Sequence, residues 1–322
     1  MNNNIFDPVN YKITWKEVSD YDSFLDELTD VPASIPLRNI DISEAGITNQ
    51  EIILKIKGLE GEVAAMYTEV SLHVSLEWHR GIHMSRCEEV LFEAKEILFD
   101  DLNEAWLFIA KQLKEKQNSK KSFVNLKAHY FHPHITKRTG KTSFDKMFFT
   151  SDIIFWEKIK KIVSWIEVFN ITACPCTKTY TKFSVVPELT KMGLDIDSIN
   201  KVLDLTLSWS HTQRWLTIMK VENNELNISY QSLYKILDES VHLIYDLLKR
   251  PDEHELVVRA LSKPQFTEDV IRDVAYNLIK WLKDKLDNES EIYIESLLND
   301  SIHIHDVHTK LSCKVKDIKD KI

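Results

Sequence analysis

The sequence predicts an α+β fold with an internal duplication, in which antiparallel sheets are backed by helices. Two observations lead to this fold class. Apolar residues alternate with polar ones in some stretches and follow helical spacing in others. These stretches have the order strand, helix, strand in a first region, and the same order returns in a second region. The repeat is one of element order, not of residue identity.

The first region opens with strand-like stretches at 50–57 and 64–77, on either side of the turn-forming residues 58–61. This pattern predicts a hairpin. From 88 to 113 the apolar residues follow helical spacing, which predicts a long helical region with one apolar face. Further strands are predicted at 122–135 and 148–154.

The second region is predicted to contain a strand at 215–221, helices at 230–249 and 268–286, and strands at 292–297 and 301–314. Thr267 is expected to cap the helix at 268–286, because Glu268 and Asp269 then place negative charge in its first turn.

The polar, basic stretch 137–143 predicts a loop between the two regions. We therefore divide the chain into an N-terminal half, residues 1–140, and a C-terminal half, residues 141–322. The C-terminal half carries most of the candidate site described below.

Charge and apolar content exclude several classes of protein. A formal net charge of -9 over 322 residues argues against broad nucleic-acid binding, which needs a basic surface. No apolar run approaches the roughly 18 to 20 residues that cross a bilayer, and residues 1–8 lack a basic and apolar leader. We expect a cytoplasmic protein without a membrane segment. The cysteines are too few for a disulfide framework and are expected to be reduced: Cys87, Cys174, Cys176 and Cys313.

Cysteine and histidine, which bind borderline and soft divalent metals, form the clearest chemical pattern. Cys174 and Cys176 make a Cys-x-Cys motif, and His211 follows well downstream. That interval is too long for a zinc finger, so a shared site would have to be assembled by the tertiary structure. A Cys-x-Cys motif alone is also compatible with a buried structural thiol pair or a redox disulfide.

Two further clusters are candidates for chemistry. Strand alternation would place His303 and His305 on one face, although solvated histidines are the simpler interpretation. Arg80, His83 and Arg86 precede a predicted helix and suit an anion. Carboxylates at 249–254 and 264–269 complete the set and can equally be solvated acids at helix ends.

The order of these clusters resembles the type IB GTP cyclohydrolases, and most closely their archaeal MptA branch. The resemblance covers residues 35–312, including the long segment between Cys176 and His211. The matching pieces are AGITN at 45–49, RGIHMSR at 80–86, ACPC at 173–176, HTQR at 211–214, LKRPDE at 248–253, QFTEDVIRDV at 265–274 and SIHIHD at 301–306.

The resemblance implies the tunnelling fold (T-fold), in which sheets from several subunits form an oligomeric barrel with active sites between subunits. A homotetramer is expected. The implied activity is metal-dependent hydrolytic opening of the guanine imidazole ring of GTP at C8, with release of formate, in pterin biosynthesis. The product would be a 7,8-dihydroneopterin phosphate. The archaeal-like segment favours the 2',3'-cyclic phosphate of the tetrahydromethanopterin route over the triphosphate of the folate route.

By match to the family motifs, Cys174, His211 and Glu253 would bind the divalent metal. Ferrous iron is the expected metal, with Zn²⁺ and Mn²⁺ as alternatives. His303 would be the general acid/base and is a further candidate ligand. Cys176 would assist catalysis or be a redox-sensitive neighbour of the metal.

The same match implies the substrate-binding residues. Glu268 would accept hydrogen bonds from the guanine N–H groups and reject adenine. Candidates for the triphosphate are Arg80, His83 and Arg86, and further candidates for substrate binding are Gln213 and Arg214 of the HTQR motif.

The sequence departs from the family pattern at a few positions. Asp300 and Ile304 stand where the family usually has Glu and Asn, Thr212 replaces an Asn, and Trp215 stands where a small residue is common. Two other functions remain open. One is the nitrile reductase of queuosine biosynthesis, which shares the fold and needs no metal. The other is a non-enzymatic ring-forming protein in which the same residues hold structural zinc.

Overall fold

The computed structural model describes residues 30–157, 160–246 and 249–322. In these ranges the strands are β1 (Ile42–Lys57), β2 (Val63–Leu76), β3 (Leu98–Phe99), β4 (Ser122–Ile135), β5 (Thr142–Phe155), β6 (Lys160–Ala173), β7 (Thr212–Glu222), β8 (His242–Leu243), β9 (Glu291–Leu298) and β10 (Val307–Lys314). The helices are α1 (Met84–Glu96), α2 (Leu102–Gln117), α3 (Pro175–Ser184), α4 (Val186–Lys191), α5 (Ile196–Leu205), α6 (Tyr230–Ser240), α7 (Arg250–Ser262), α8 (Thr267–Leu282) and α9 (Val315–Lys319).

The strands form one sheet in the order β10-β9-β7-β6-β5-β4-β2-β1-β3, with β8 pairing beside β6. This order contains a repeat. Strands β1, β2, β4 and β5 are antiparallel neighbours, with α1 and α2 inserted after the second strand. Strands β6, β7, β9 and β10 repeat the arrangement, with α6, α7 and α8 inserted after the second strand. The α+β class is confirmed, and the duplication is visible in the strand order.

The two four-stranded units join where β5 pairs with β6. The division of the chain at residue 140 stays a prediction, but in strand order the units meet only after β5, beyond the 137–143 loop. Helices α3, α4 and α5 lie between β6 and β7, so this insertion belongs to the second unit alone.

The apolar faces of the helices and alternate residues of the strands form one core. In α2, Trp106, Ile109 and Leu113 are fully buried, as are Val270 and Val274 of α8. Burial of each such aliphatic side chain contributes about 1.5 to 3 kcal/mol to the stability of the fold. These are the helix faces that the spacing of apolar residues predicts. On the other face of the sheet, large apolar side chains stay exposed in the single chain, among them Ile53, Phe131 and Phe144.

The helix predicted over 88–113 is divided, which corrects the expectation of one long helical region. Ile97 has extended backbone angles, φ −92° and ψ 136°, and ends α1. A new helix then begins at Leu102 and is capped by Asp101, whose carboxylate accepts from the Glu104 N–H at 2.9 Å. Between the two, β3 pairs with β1. The apolar spacing continues across the break because both helices bury against the same core.

The helix predicted over 230–249 ends at Ser240, because the chain then pairs with β6 as β8. Residues 247–248 of that prediction, which include the first residue of the LKRPDE piece, lie outside the described ranges. The strand predicted over 301–314 begins only at Val307. Residues 301–305 bend instead, because the Asp300 carboxylate accepts from two backbone N–H groups just after it.

Sequence patterns did not predict β6, although it lies at the centre of the sheet. No helix in the described ranges is both long and apolar enough to cross a membrane.

Candidate functional site

A cavity of about 290 Å³ lies where β6 and β9 end and where β7, β10 and α8 begin. It belongs to the second unit of the fold. Its lining includes candidate residues from four motifs of the C-terminal half, ACPC, HTQR, QFTEDVIRDV and SIHIHD: Cys174, His211, Gln213, Glu268, His303 and His305.

Cys174 and His211 are neighbours because β6 and β7 are antiparallel. The last pair of that ladder is Ala173 with Thr212, so the next residues outward are Cys174 and His211. The Cys174 N–H donates to the His211 carbonyl at 3.2 Å. The Ser210 hydroxyl donates to the Cys174 carbonyl at 2.8 Å. The two ends of the helical insertion α3–α5 therefore lie side by side. Cys174 and His211 are neighbours in space although they are far apart in sequence.

His303 and His305 lie in the bent loop between β9 and β10. The Asp300 carboxylate accepts from the N–H groups of Ile302 and His303, at 2.8 and 3.0 Å. The two imidazole rings stack, with centroids 5.1 Å apart and planes 12° apart. Both rings line the cavity. The predicted strand alternation was wrong for this loop, but the two histidines do share one side.

Asp300 is the electrostatic centre of this loop. Burial acts to raise the pKa of Asp300, but the two backbone N–H groups and the nearby His303 and His211 together hold it below its usual range. The Asp300 carboxylate therefore lies close to the imidazoles of His303 and His211. His211 is held from the same loop, with its Nδ1 3.2 Å from the Ser301 hydroxyl.

Glu268 lies in the first turn of α8, lines the cavity and is exposed in the single chain. Its carboxylate accepts from the Thr267 hydroxyl at 2.9 Å. The expected capping by Thr267 was wrong. Phe266 is the residue before the helix, and its N–H donates to the Asp269 carboxylate at 3.1 Å. Thr267 is the first helical residue, and its hydroxyl lies 2.7 Å from that of Thr309.

The start of α8 is fixed to β6 through Gln265. Its N–H donates to the Thr172 hydroxyl, and that hydroxyl donates back to the Gln265 carbonyl, both at 3.1 Å. Thr172 is two residues before Cys174, so the same strand positions the thiol and the helix that carries Glu268. Nothing in the sequence pattern singled out Thr172 or Gln265 for this role.

Glu253 is not part of the cavity lining. It is exposed and lies in the first turn of α7, whereas the cavity lies beyond the other end of that helix. Glu253 and Ser262 are separated by roughly 14 Å along the helix axis. The neighbouring Asp252 is buried and accepts from the N–H and the hydroxyl of Thr139, at 3.2 and 2.7 Å. Asp252 therefore secures α7 to the β4–β5 turn.

Cys176 and Arg214 are exposed and do not line the cavity. Arg214 lies between Gln213 and Trp215 on β7, so the strand's alternation directs it to the opposite face. Trp215, which sequence reasoning noted only as a departure from a family pattern, does line the cavity. Strand alternation is the signal that could have found it, since Gln213 and Trp215 occupy one face.

Arg80, His83 and Arg86 lie near the opposite ends of the strands from the cavity. They follow β2, whose end pairs with the start of β4 at Ser122. Ser122 pairs with Phe155, and Phe155 with Lys160 at the start of β6. Cys174 follows the other end of β6, a strand of 14 residues and so roughly 45 Å long. One chain does not bring these two groups of residues together.

The basic cluster itself has local partners. His83 Nε2 lies 2.7 Å from the Asp30 carboxylate, and this contact lowers the pKa of Asp30. Arg86 donates to the Lys116 carbonyl at 3.0 Å. Arg80 donates its backbone N–H to the Ser34 carbonyl at 2.8 Å.

The cavity's donor atoms suit a borderline divalent metal. A thiol, imidazoles and a carboxylate are contributed by Cys174, His211, His303 and Glu268. Within the described ranges, however, no three His, Cys, Asp or Glu side chains are close enough to hold a metal ion together. The adjacent pair Cys174 and His211 thus supplies two of the three predicted metal ligands. The third, Glu253, does not line the cavity of its own chain.

Comparison with known proteins identifies the family. A family model described as "Type I GTP cyclohydrolase folE2" matches residues 28–309. A protein named GTP cyclohydrolase MptA from Methanococcus vannielii is 28% identical over 311 residues, covering 92% of this chain and 99% of the relative. A GTP cyclohydrolase MptA from Methanococcus maripaludis is 26% identical over 313 residues, covering 92% and 98%.

Among solved structures, the uricase of Arthrobacter globiformis aligns with a TM-score of 0.50 at 9% identity, covering 84% of this chain and 93% of the uricase. That likeness concerns the fold alone, and it supports a T-fold-like arrangement of sheet and helices. The family match spans both units of the fold and all the motifs that line the cavity. The chain therefore belongs to the type I GTP cyclohydrolase folE2 family, which is a family of enzymes.

Proposed function

We propose that this chain opens the imidazole ring of GTP by hydrolysis at C8, releases formate and forms a 7,8-dihydroneopterin phosphate for pterin biosynthesis. The observation that carries the proposal is the convergence of Cys174, His211, Glu268 and His303 on one cavity. Two relatives that cover more than nine-tenths of the chain bear the name GTP cyclohydrolase MptA. The 2',3'-cyclic phosphate is the proposed product, formed when a side-chain hydroxyl of the pterin bonds to the α-phosphorus and diphosphate leaves.

Cys174 and His211 would hold a divalent metal, proposed to be ferrous iron, which when bound supplies an activated water for attack on C8. The hydrogen bond between their backbones keeps the thiol and the imidazole side by side. Ser301 orients the His211 ring through Nδ1, which leaves Nε2 for a ligand.

His303 is proposed to take a proton from the attacking water. It then gives a proton to the ring nitrogen as the bond between that nitrogen and C8 breaks. Its backbone is held by Asp300, and its ring is supported by the stacked ring of His305. Glu268, in the first turn of α8, is proposed to accept from the N1–H and 2-amino groups of guanine.

Glu253 and the basic cluster are proposed to act from another copy of the chain, in a homotetramer that forms a barrel. Support comes from their positions, since Glu253 and the residues Arg80, His83 and Arg86 are remote from the cavity of their own chain. Among the described residues, β10 and β3 also have no further strand beside them, and the sheet face without helices carries exposed apolar side chains.

A subunit-mixing experiment tests this division of labour. Cys174→Ser and Glu253→Gln should each be inactive alone, and hetero-oligomers of the two variants should recover part of the activity. A mixture of Cys174→Ser with His211→Ala is the matched control and should recover none, because both changes damage the same cavity. Equal absence of recovery in both mixtures would mean that Glu253 acts within its own chain.

The function itself is tested by anaerobic incubation of the purified protein with GTP and ferrous iron. Formate and a dihydroneopterin phosphate should appear together, and the mass of the product distinguishes a cyclic phosphate from a triphosphate. NADPH-dependent reduction of a nitrile without formate release would instead favour the nitrile reductase. Tightly held zinc with unchanged GTP would favour a structural role.

A further inference from the structure

Three buried polar atoms of residues around the cavity have no hydrogen-bond partner within the part of the chain that the structure describes. They are Gln213 Oε1, Trp215 Nε1 and Gln265 Oε1, and their side chains belong to residues that are 8%, 1% and 3% exposed. All three residues line the cavity. An unpartnered buried polar group destabilises the fold, so such atoms usually receive a partner from a ligand or a water.

Trp215 is the most informative of the three because an indole nitrogen can only donate. The amide of Gln213 can be turned over, which would exchange its donor and acceptor ends. Gln265 is fixed, because its Nε2 donates to the Ser240 carbonyl at 3.1 Å and to the Asp273 carboxylate at 2.8 Å. Its Oε1 must therefore accept. Among the described residues, the lining of the cavity thus includes one unmet donor, on Trp215, and at least one unmet acceptor.

Strand β7 holds the indole firmly. Trp215 pairs with Asn170 of β6 on one side and Leu298 of β9 on the other. With Gln213 it occupies the buried face of β7, in the strand that begins directly after His211. The backbone that carries this donor is therefore fixed by strand pairing on both sides, which limits the entropy lost when a ligand binds.

A 6-oxopurine has the complementary pattern. Its carbonyl oxygen at C6 accepts, while the adjacent N1–H and 2-amino group donate, and Glu268 and Gln265 are acceptors in the same cavity. A 6-aminopurine would place a donor against the indole N–H. We propose that the Trp215 Nε1–H donates to the C6 oxygen of the bound guanine and so determines the choice of a 6-oxopurine. This inference rests on the function proposed above.

The test compares equilibrium binding of GTP and 2-aminopurine riboside triphosphate to the metal-free protein. The second nucleotide keeps the 2-amino group, the ribose and the triphosphate but has no oxygen at C6 and therefore no hydrogen on N1, so only the effect of the variant on each Kd is compared. Trp215→Phe keeps an aromatic ring and removes the N–H. The Kd for GTP should rise about tenfold to a hundredfold, because the C6 oxygen is left without a partner. The Kd for the analogue should change by less than about threefold.

Trp106→Phe is the matched control. Trp106 is also fully buried, but its Nε1 donates to the Tyr230 hydroxyl at 3.2 Å, in the core. This variant should lose stability and leave both Kd values unchanged. If Trp215→Phe does not fold, benzothienylalanine at position 215 removes the same N–H with almost no change of shape.

Two outcomes overturn the inference. An equal rise in both Kd values would mean that the indole contacts the ribose or phosphates, which the nucleotides share. Unchanged Kd values for both would mean that the indole binds water only. Formate release by the wild-type protein is measured separately. If it is absent the proposed function fails, whereas if it is present and the variant binds GTP normally, only the role of Trp215 fails.

Discussion

The N–H of Cys174 donates to the carbonyl of His211 at 3.2 Å, although a three-helix insertion separates the two residues in sequence. This contact continues the β6–β7 ladder by one step and places a thiol beside an imidazole at the mouth of the cavity. The proposed chemistry depends on this pair more than on any other contact.

Cys174→Ser should therefore lose at least about a hundredfold in kcat, because an alcohol is not ionised near neutral pH and is a poor ligand for a softer metal. Steady-state rates with GTP and added ferrous iron, together with metal content, measure this. Chelation of the wild-type protein should have the same effect. Cys176→Ser is the control, since Cys176 does not line the cavity. A Cys174→Ser enzyme with near wild-type kcat would make the thiol structural.

Glu268→Gln should lower kcat/KM for GTP by about tenfold to a hundredfold, because a donor would then face the N–H groups of guanine. The melting temperature should hardly change, since the side chain is exposed at the helix start. Asp269→Asn is the matched control. Its carboxylate accepts from the Phe266 N–H, so the variant should lose about 0.5 to 1 kcal/mol of stability and keep its kinetics. If Glu268→Gln lost stability and kept its kinetics with GTP, Glu268 would not be the residue that recognises the base.

His303→Asn should reduce kcat by about a hundredfold or more with little change in KM, as expected for loss of a general acid. His305→Asn should cost less than about tenfold, because His305 is proposed only to support the His303 ring by stacking. Single-turnover formation of formate distinguishes chemistry from product release. A larger loss for His305→Asn would exchange the two roles.

A buried carboxyl away from the cavity gives a prediction about pH. Burial raises the pKa of Asp145 to about 7, with the Tyr234 hydroxyl donating to its Oδ2 at 3.3 Å. His134 Nδ1 lies 3.1 Å from its Oδ1, but the two atoms lack hydrogen-bond geometry. Burial also lowers the pKa of His134, so the neutral imidazole gives the carboxylate no charge partner above that pKa.

In the folded state Asp145 keeps its proton up to about pH 7, whereas in the unfolded state it is ionised above its ordinary value of 3.8. The free energy of unfolding should therefore fall as pH rises from about 4 to 7, by up to a few kcal/mol, and then level off. The Asp145→Asn variant should not show this pH dependence. Its melting temperature at pH 8, relative to its own value at pH 5, should therefore be higher than in the wild-type protein. Denaturant unfolding across that pH range measures it, and parallel curves for both proteins would contradict the assignment.

The sequence was a good guide to those features that depend on local patterning. Helical spacing located α2 and α8, and alternation located β1, β2, β4 and β7, because each of these elements buries one regular face. It failed where a single interaction interrupts the pattern. Asp300 bends the loop that contains His303, and β8 pairs with β6 where a helix was predicted to continue.

The candidate site was predictable only in part for a similar reason. Motif order selected Cys174, His211, Glu268 and His303, which do share a cavity. Strand alternation could have placed Trp215 beside Gln213, and Gln265 opens a matched motif, but the sequence does not show that their buried polar atoms have no partner among the described residues. Positions of Glu253 and Arg80 relative to the cavity depend on the tertiary structure and, as proposed, on assembly.

The most direct test of the whole account is product analysis by mass spectrometry after anaerobic incubation with GTP and ferrous iron, with formate measured in the same sample. We expect one formate for each GTP consumed, a dihydroneopterin cyclic phosphate as product, and loss of both in His211→Ala. Unchanged GTP in the presence of any of Fe²⁺, Zn²⁺ or Mn²⁺, or equal turnover by His211→Ala, would contradict the proposal that this cavity opens the guanine ring.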